Sequence, residues 1–303
     1  MATSATTPAD ASASRSVPLG MACACGAVTL WGAQDALTKM LVSVYPMSQF
    51  LTVRFGVFAV FALIYTGMRG GLGKALVTRH VVLQITRAVL LVADILFFCW
   101  ALQYLGLAEL HAIYATTPLM VTLLVGPMLG EKVGWRRRTA VLVGFLGALV
   151  IIRPGLGVMH WAAFIVLASG LCFALYIIGT RLVGRDDSVD TSTLYTAGGG
   201  FVMLAPLGIW QWQPVDTRGA LMIGAISVTG LVGHMLYIKA LTHAPAIVLQ
   251  PLTYLLLVWA AFYGFVIFAD VPDGWTVAGA VIVVGSGLYV TWREWVRSHE
   301  PHT

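Results

Sequence analysis

ALQYLGLAELHAIYATTPLMVTLLVGPMLGEK, residues 101–132, and ALTHAPAIVLQPLTYLLLVWAAFYGFVIFADVPD, residues 240–273, decide how this chain folds. They open on Ala101-Leu102 and Ala240-Leu241, 139 residues apart, and each leads into a further apolar run, through Gly147 in one and past Gly285 and Gly287 in the other. The interior turn of the first copy carries Lys132, Arg136, Arg137 and Arg138; that of the second carries Asp270 and Asp273. Cationic turns stay on the cytoplasmic face of a membrane, so the two turns are expected on opposite faces. The chain reads as an internal repeat whose second copy is inverted in the bilayer.

Composition sets the same frame. Of 303 residues, 59% are hydrophobic and 10% charged, with a mean hydropathy of +0.86, more apolar surface than a soluble core can enclose. Crossing the hydrocarbon takes about 20 apolar residues, and runs of that size fill most of the chain from Val17 to Trp292. Net charge is +5, but Lys and Arg fall in alternate loops, so charge reports topology rather than nucleic-acid binding. Cys23, Cys25, Cys99 and Cys172 all lie in apolar segments without a CxxC pair, which reads as packing, and neither metal nor cofactor is expected. Residues 1–17, rich in Ala, Ser and Thr, read as a disordered cytoplasmic tail, and 294–303 as a second tail.

Breaks in the apolar pattern predict an all-α membrane protein of ten transmembrane helices, at about 18–42, 46–68, 81–105, 107–129, 134–152, 159–182, 191–212, 218–241, 245–268 and 274–293. Five helices per half is an odd number, which obliges the second half to start from the other face. The halves are expected at 18–155 and 156–293. Placing both termini in the cytoplasm puts Arg69, Lys74, Arg79, Lys132, Arg136 to Arg138, Arg181, Arg185, Lys239, Arg293 and Arg297 inside, and leaves Arg153 and Arg218 outside. A bacterial inner membrane is the expected location. Trp135, Trp161, Trp210, Trp212, Trp275, Trp292 and Trp295 sit at segment ends as an aromatic belt requires, whereas Trp31, Trp100 and Trp259 lie deeper.

An ionisable side chain inside a span is expensive and calls for an account. Asp35 and Lys39, spaced i,i+4, share one face of the first helix as a local ion pair, and Arg54, about 12 Å into the second helix, is placed either to share that acid or to face an anionic part of a solute. Arg87 can extend toward the cytoplasm. Asp94 sits near the middle of the third helix, where a carboxyl is neutral, paired or in a water-filled cavity. The 139-residue shift carries it to Gly233, beside His234, which suggests a proton or cation route between Asp94 and His234. Glu109 and His111 begin the fourth helix, where an acid also suits the helix dipole. His111 maps to Gln250 and Tyr114 to Thr253, matched polar positions expected on a cavity wall. Pro118 and Pro251 each free a backbone carbonyl, and Gly198 to Gly200 permits close packing.

Candidate solute-binding residues are therefore Gln34, Arg54, Asp94, Trp100, His111, Tyr114, Tyr176, His234, Gln250 and Tyr254, with Asp35, Asp94, Glu109 and His234 as candidates for coupling or gating. Aromatic faces at Trp100, Tyr114, Tyr176 and Tyr254 suit an apolar or cationic solute. No GxxxxGK[ST] loop, HExxH or GxSxG occurs, which argues against ATP-driven pumping and against two common membrane hydrolases. A membrane-embedded enzyme would gather its catalytic groups at one depth, and a sensor would carry a soluble output domain. An inverted repeat with scattered polar groups fits neither, and points to a carrier.

The chain also resembles a known family, the EamA-like branch of the drug/metabolite transporter superfamily, over residues 18 to 292. The resemblance rests on Ala101-Leu102 with Tyr104 to Glu109, Pro118-Leu119, Leu129-Gly130-Glu131, and Gly144 to Gly147 leading to Arg153-Pro154-Gly155, and in the second half on Ala240-Leu241, Ala244-Pro245, Gly279, Gly285 and Gly287. It implies two inverted five-helix repeats around a cavity lined by the third, fourth, eighth and ninth helices with parts of the first and sixth. It implies secondary carriage of amino acids, nucleosides, vitamins, cofactors such as S-adenosylmethionine, or cationic drugs. The expected solute is a small organic metabolite such as an amino acid, a vitamin or an S-adenosylmethionine-like solute, moved by proton coupling or exchange, and a monomer or weak dimer is expected. The second copy departs from the pattern, with Ala269-Asp270 in place of Gly-Glu and Leu257 opposite Pro118.

Overall fold

The computed structural model describes residues 16–69, 71–130, 134–153 and 160–299. The tail expected at 1–17, except for its last two residues, and the turn residues Glu131, Lys132 and Pro154-Gly155 lie outside them. The described residues form helices without strands: α1 (Val17–Val42), α2 (Met47–Met68), the one-turn α3 (Leu72–Ala75), α4 (Val81–Ala101), α5 (Leu107–Tyr114), α6 (Thr117–Leu129), α7 (Trp135–Ile152), α8 (Ala162–Val183), α9 (Val189–Trp210), α10 (Thr217–His243), the one-turn α11 (Ala246–Leu249), α12 (Leu255–Phe268) and α13 (Gly274–His299). Short polar side chains start several of them. Ser188 Oγ accepts from the Thr191 amide at 3.1 Å and Asp216 Oδ1 from that of Gly219 at 2.7 Å, meeting amides that lack a partner within the helix.

Among the described residues, nine segments are long and apolar enough to span a membrane. Besides the one-turn α3 and α11, the helix outside that set is α7, whose first turn carries Arg136 to Arg138 and whose apolar remainder, Thr139 to Ile152, covers about 21 Å. It nevertheless packs along α13, where Gly147 and Gly279 bring the two backbones together: a Cβ on Gly279 would lie 2.6 Å from the Gly147 carbonyl oxygen.

Two expected helices are interrupted. The segment 107–129 breaks at Ala115-Thr116, because Pro118 has no amide to give and the hydroxyls of Thr116 and Thr117 take the carbonyls of Ile113 and Tyr114 at 2.7 and 2.6 Å. The segment 245–268 passes through a 3-10 turn, Gln250–Tyr254, around Pro251 before α12 begins. The two breaks lie 139 residues apart although their prolines do not correspond. The helix expected to end at 105 stops at Ala101, and its chain turns through Gly106, whose extended backbone starts α5. At the other end of the chain, α13 continues as helix to His299, past the expected boundary at 293.

The halves interlock rather than stand side by side. The principal packing pairs are α1 with α10, α4 with α8, α2 with α9 and α7 with α13, and each joins a helix before residue 153 to one after residue 160. Exchanging the halves converts α1–α10 into α8–α4 and leaves the other two pairs unchanged.

Candidate functional site

Asp35 lies seven residues before the end of α1, Arg54 seven after the start of α2, Asp94 seven before the end of α4 and Ser169 seven after the start of α8. At 1.5 Å per residue each is about 10 Å below the same end of the bundle. The connections at that end tie the halves together, through Tyr45 Oη to Asp216 at 2.7 Å and Gln49 Nε2 to the Gln213 carbonyl at 2.9 Å. Helices of both halves therefore contribute polar groups to one layer within the bundle.

Asp94 is 5% exposed, and its ligands come from two elements. Ser169 Oγ donates to Asp94 Oδ1 at 2.6 Å and also lies 3.0 Å from its main-chain carbonyl, while Tyr114 Oη donates to Oδ1 at 3.2 Å. Tyr114 is the last residue of α5, so the helix break gives its ring a fixed place next to Asp94. Asp35 Oδ2 stands 3.1 Å from His111 Nε2 without hydrogen-bond alignment, an ionic contact when the imidazole is protonated. Phe98, one turn beyond Asp94 on α4, meets His111 edge-on at 5.5 Å and Tyr114 at 5.4 Å. Phe173 continues the aromatic wall, 6.3 Å from Tyr114 and 5.9 Å from Tyr176.

Arg54 enters the layer from α2 beside Gly230 of α10, with Asp35 and Asp94 within electrostatic reach. Gln34, on α1, points at the same glycine. One turn along both helices, Trp31 lies over Gly233 and packs against Tyr237 at 5.3 Å. Small residues on α10 thus let the polar and aromatic side chains of α1 approach its backbone.

The structure brings Gln34, Asp35, Arg54, Asp94, His111 and Tyr114 into this layer. It seats the other candidates elsewhere. Trp100 packs edge-on against Trp161 at 5.6 Å, beside Tyr104 and His160 at the helix ends. Tyr176 lies under the Arg87 guanidinium at 5.2 Å, where Thr180 accepts from Arg87 Nε at 3.0 Å and Gln84 accepts from Nη1. His234 meets Phe58 edge-on at 5.5 Å, one position round the helix from Gly233. Gln250 is exposed on the 3-10 turn, and Tyr254 Oη fills the space over Gly287. Glu109 faces a charged group at the bundle end with Asp270, Arg153 and Asp273, in which Arg153 Nη2 and Asp273 Oδ2 are 2.5 Å apart. Lys39, expected to pair with Asp35, instead donates to the Leu105 carbonyl at 2.7 Å.

Ser169, Phe98, Phe173 and Gly230 were not among the candidates. Phe98 is at i+4 from Asp94, a spacing that places it on the same face; Ser169 and Gly230 carry no comparable signal.

The opposite end has its own polar seam, where the loops before α4 and after α8 meet the first turn of α4. Asp187 accepts from Thr78 Oγ1 at 2.6 Å and Gln84 Nε2 at 2.7 Å, and His80 Nε2 is 2.9 Å from Asp186. Burial pushes the Asp187 carboxyl up, but the Thr78 and Gln84 hydrogen bonds prevail and hold it below the usual carboxylate range.

Known proteins carry the same organisation. The model of the EamA-like transporter family matches residues 18–153 and again 160–292. The chain is 30% identical to a riboflavin transporter of Vibrio cholerae over 75% of its length and 77% of that protein. It is 26% identical to a pseudopaline exporter of Pseudomonas aeruginosa over 82% of its length and 88% of the exporter. It is 23% identical to an S-adenosylmethionine uptake transporter of Rickettsia prowazekii over 73% and 75%. A crystal structure of 17% sequence identity superposes with a TM-score of 0.64 over 96% of this chain and 100% of that one, a likeness of fold. With two matches that cover most of a multi-pass helical chain, one in each half, the protein belongs to the EamA-like transporter family.

Proposed function

We propose that the chain is a secondary carrier, without catalytic activity, that moves a small amphiphilic metabolite across a bacterial inner membrane by alternating access of its two halves. The solutes named for its relatives, riboflavin and S-adenosylmethionine, both join a ring system to groups that donate and accept hydrogen bonds, and a solute of that kind fits this site. The observation that carries the reading is the layer of Asp35, Arg54, Asp94, His111, Tyr114 and Ser169; its groups share one depth, contrary to the scatter expected from the sequence, and the relatives, named as transporters, favour a carrier over an enzyme. The layer is drawn from both halves, lies about 10 Å inside the membrane and is walled by Phe98 and Phe173.

In this reading Asp94 and the Asp35–His111 pair hold a coupling proton or the cationic part of the solute, and Arg54 holds an acceptor or anionic part. The repeats run over 18–155 and 156–293, α7 serves as the tenth span, both termini face the cytoplasm, and one copy of the chain suffices. Purified protein in proteoliposomes, given labelled riboflavin, S-adenosylmethionine and amino acids with and without a pH gradient, tests it. Accumulation of one of these above protein-free vesicles is the expected result; if none crosses, the reading fails. Loss of the gradient effect with transport intact would remove proton coupling and leave exchange.

A further inference from the structure

Gln34 and Arg54 converge on one point of α10. A Cβ placed on Gly230 would stand 2.6 Å from Gln34 Oε1, 3.5 Å from Arg54 Nε and 3.7 Å from Arg54 Nη2. Gln34 is 5% exposed, and its Oε1 is buried with no hydrogen-bond partner. Among the described residues no hydrogen bond or ion pair reaches the Arg54 guanidinium, although Asp35 and Asp94 act on its charge from farther away. A buried acceptor left unmet is costly inside a membrane, and the part-buried guanidinium beside it has donors to spare. An empty carrier bears that cost whenever it closes, and a solute that satisfies both groups removes it.

The geometry points to a solute subsite, formed by Gln34 and Arg54, that reads a single edge: an acceptor oxygen, either a carboxylate or a ring carbonyl, beside an N–H donor. The subsite rests on the carrier reading above and names the chemistry which that site selects. Arg54 offers N–H donors in a planar fork to the oxygen, and Gln34 Oε1 accepts the N–H. A ring imide has both on one edge; an α-amino acid has them as carboxylate and ammonium. Trp31, three residues before Gln34, lies over Gly233, three residues after Gly230, so ring surface adjoins the polar edge. Because Gln34 Oε1 is sealed in this arrangement, the solute reaches it as α10 swings away from α1, a movement that alternating access supplies. Gly230 keeps the point of convergence clear.

Binding to the purified full-length protein in detergent tests the subsite, using four probes: riboflavin, its N3-methyl derivative, S-adenosylmethionine and its carboxylate methyl ester. The parent is expected to bind riboflavin at least about tenfold more tightly than the N3-methyl compound, or S-adenosylmethionine at least about tenfold more tightly than the ester, a loss in the range of a buried polar group left unpaired. The first preference identifies an imide edge and the second an amino-acid head. Gln34→Met is expected to reduce an imide preference to within about twofold, and Arg54→Gln to do so for a carboxylate preference. Gly230→Ala is expected to weaken the preferred probe at least about tenfold with the solute-free melting temperature retained, which separates a blocked subsite from a misfolded protein. Absence of binding by all four probes, equal binding within both pairs, or preferences that survive in these variants overturns the subsite. If the variants bind and transport as the parent does, the subsite is wrong and the carrier stands. If the parent discriminates as expected but moves nothing in vesicles, the carrier reading falls alone.

Discussion

Gly130 and Ala269 stand 139 residues apart and end α6 and α12 in the same left-handed conformation, with φ of 72° and 52°. Each amide bonds back to the carbonyl four residues earlier, Gly126 at 3.0 Å and Phe265 at 3.1 Å. Glycine meets this geometry without strain, whereas a Cβ there costs about 1–2 kcal/mol. The repeat has therefore kept a backbone shape at a position where it lost the residue that suits it. Gly130→Ala is expected to destabilise by about 1 kcal/mol. Ala269→Gly is expected to stabilise by less than that, since glycine also frees the unfolded chain. Melting temperatures in detergent should move in opposite directions, and a fall in both would show that Ala269 is held by contacts that outweigh its strain.

Asp94 is bound more closely by Ser169, at 2.6 Å, than by Tyr114, at 3.2 Å. A hydrogen bond to a charged group contributes about 1.5–3 kcal/mol, so Ser169→Ala should reduce uptake by about tenfold or more and Tyr114→Phe by less. Asp94→Asn keeps the shape but cannot carry the charge. It should abolish accumulation driven by a pH gradient while counterflow of solute persists in preloaded vesicles. Unchanged initial rates in both Asp94→Asn and Ser169→Ala would take Asp94 out of the mechanism.

These relationships also show what sequence alone could reach. Hydropathy places the long helices well, because each span must hide its own backbone and a run of apolar residues records that directly. The break after Tyr114 was foreshadowed by Pro118, but its partner in the second half is displaced in sequence to Pro251, so only the backbone shows that the two breaks correspond. Side-chain direction was less legible. The shift that sets Gly233 opposite Asp94 gives depth, not azimuth; Gly233 receives Trp31, and His234 turns to Phe58. Ser169 was invisible because a serine in a span commonly bonds to its own helix, and nothing local announces a partner 75 residues away.

Outside the spans, Asp273 accepts from the Thr276 amide at 2.8 Å, which together with the Thr276 hydroxyl and Arg153 holds its carboxyl below the usual range. Asp216 is lowered likewise by the Tyr45 hydroxyl and the Gly219 amide, and Asp187 by Thr78 and Gln84 against the opposing effect of burial. A carboxylate whose pKa is depressed on folding adds stability that is fully present above its unfolded value, about 3.9 for Asp, and disappears as pH falls through the folded value. The melting temperature is thus expected to lose this contribution only below about pH 4. Asp273→Asn should lower it at neutral pH and shrink the acid drop. A parent that grows more stable between pH 5 and pH 3 would contradict the assignment.

Lys39 joins three elements at the end of the bundle nearest the site. Its ammonium donates to the Leu105 carbonyl at 2.7 Å, lies 5.2 Å from the centre of the Phe268 ring, and feels the charges of Asp270 and Glu109. The Asp270 side chain presses on Gly106, in the turn that Leu105 belongs to, so Lys39 and Asp270 together hold α1, the α4–α5 turn and the α12–α13 turn in register across the two halves. Opening that end requires parting these contacts. At about 1.5–3 kcal/mol for the charged hydrogen bond, Lys39→Met should shift the balance toward the open state by about tenfold, and Lys39→Arg by less. A cysteine at Glu109, in a background with Cys23, Cys25, Cys99 and Cys172 replaced, reports this through its rate of labelling by a membrane-impermeant thiol reagent. Labelling several-fold faster in Lys39→Met is expected, together with slower uptake as the carrier lingers open. Equal labelling rates with and without Lys39 would mean that the lysine packs the helix end and that the closure of this end is governed elsewhere.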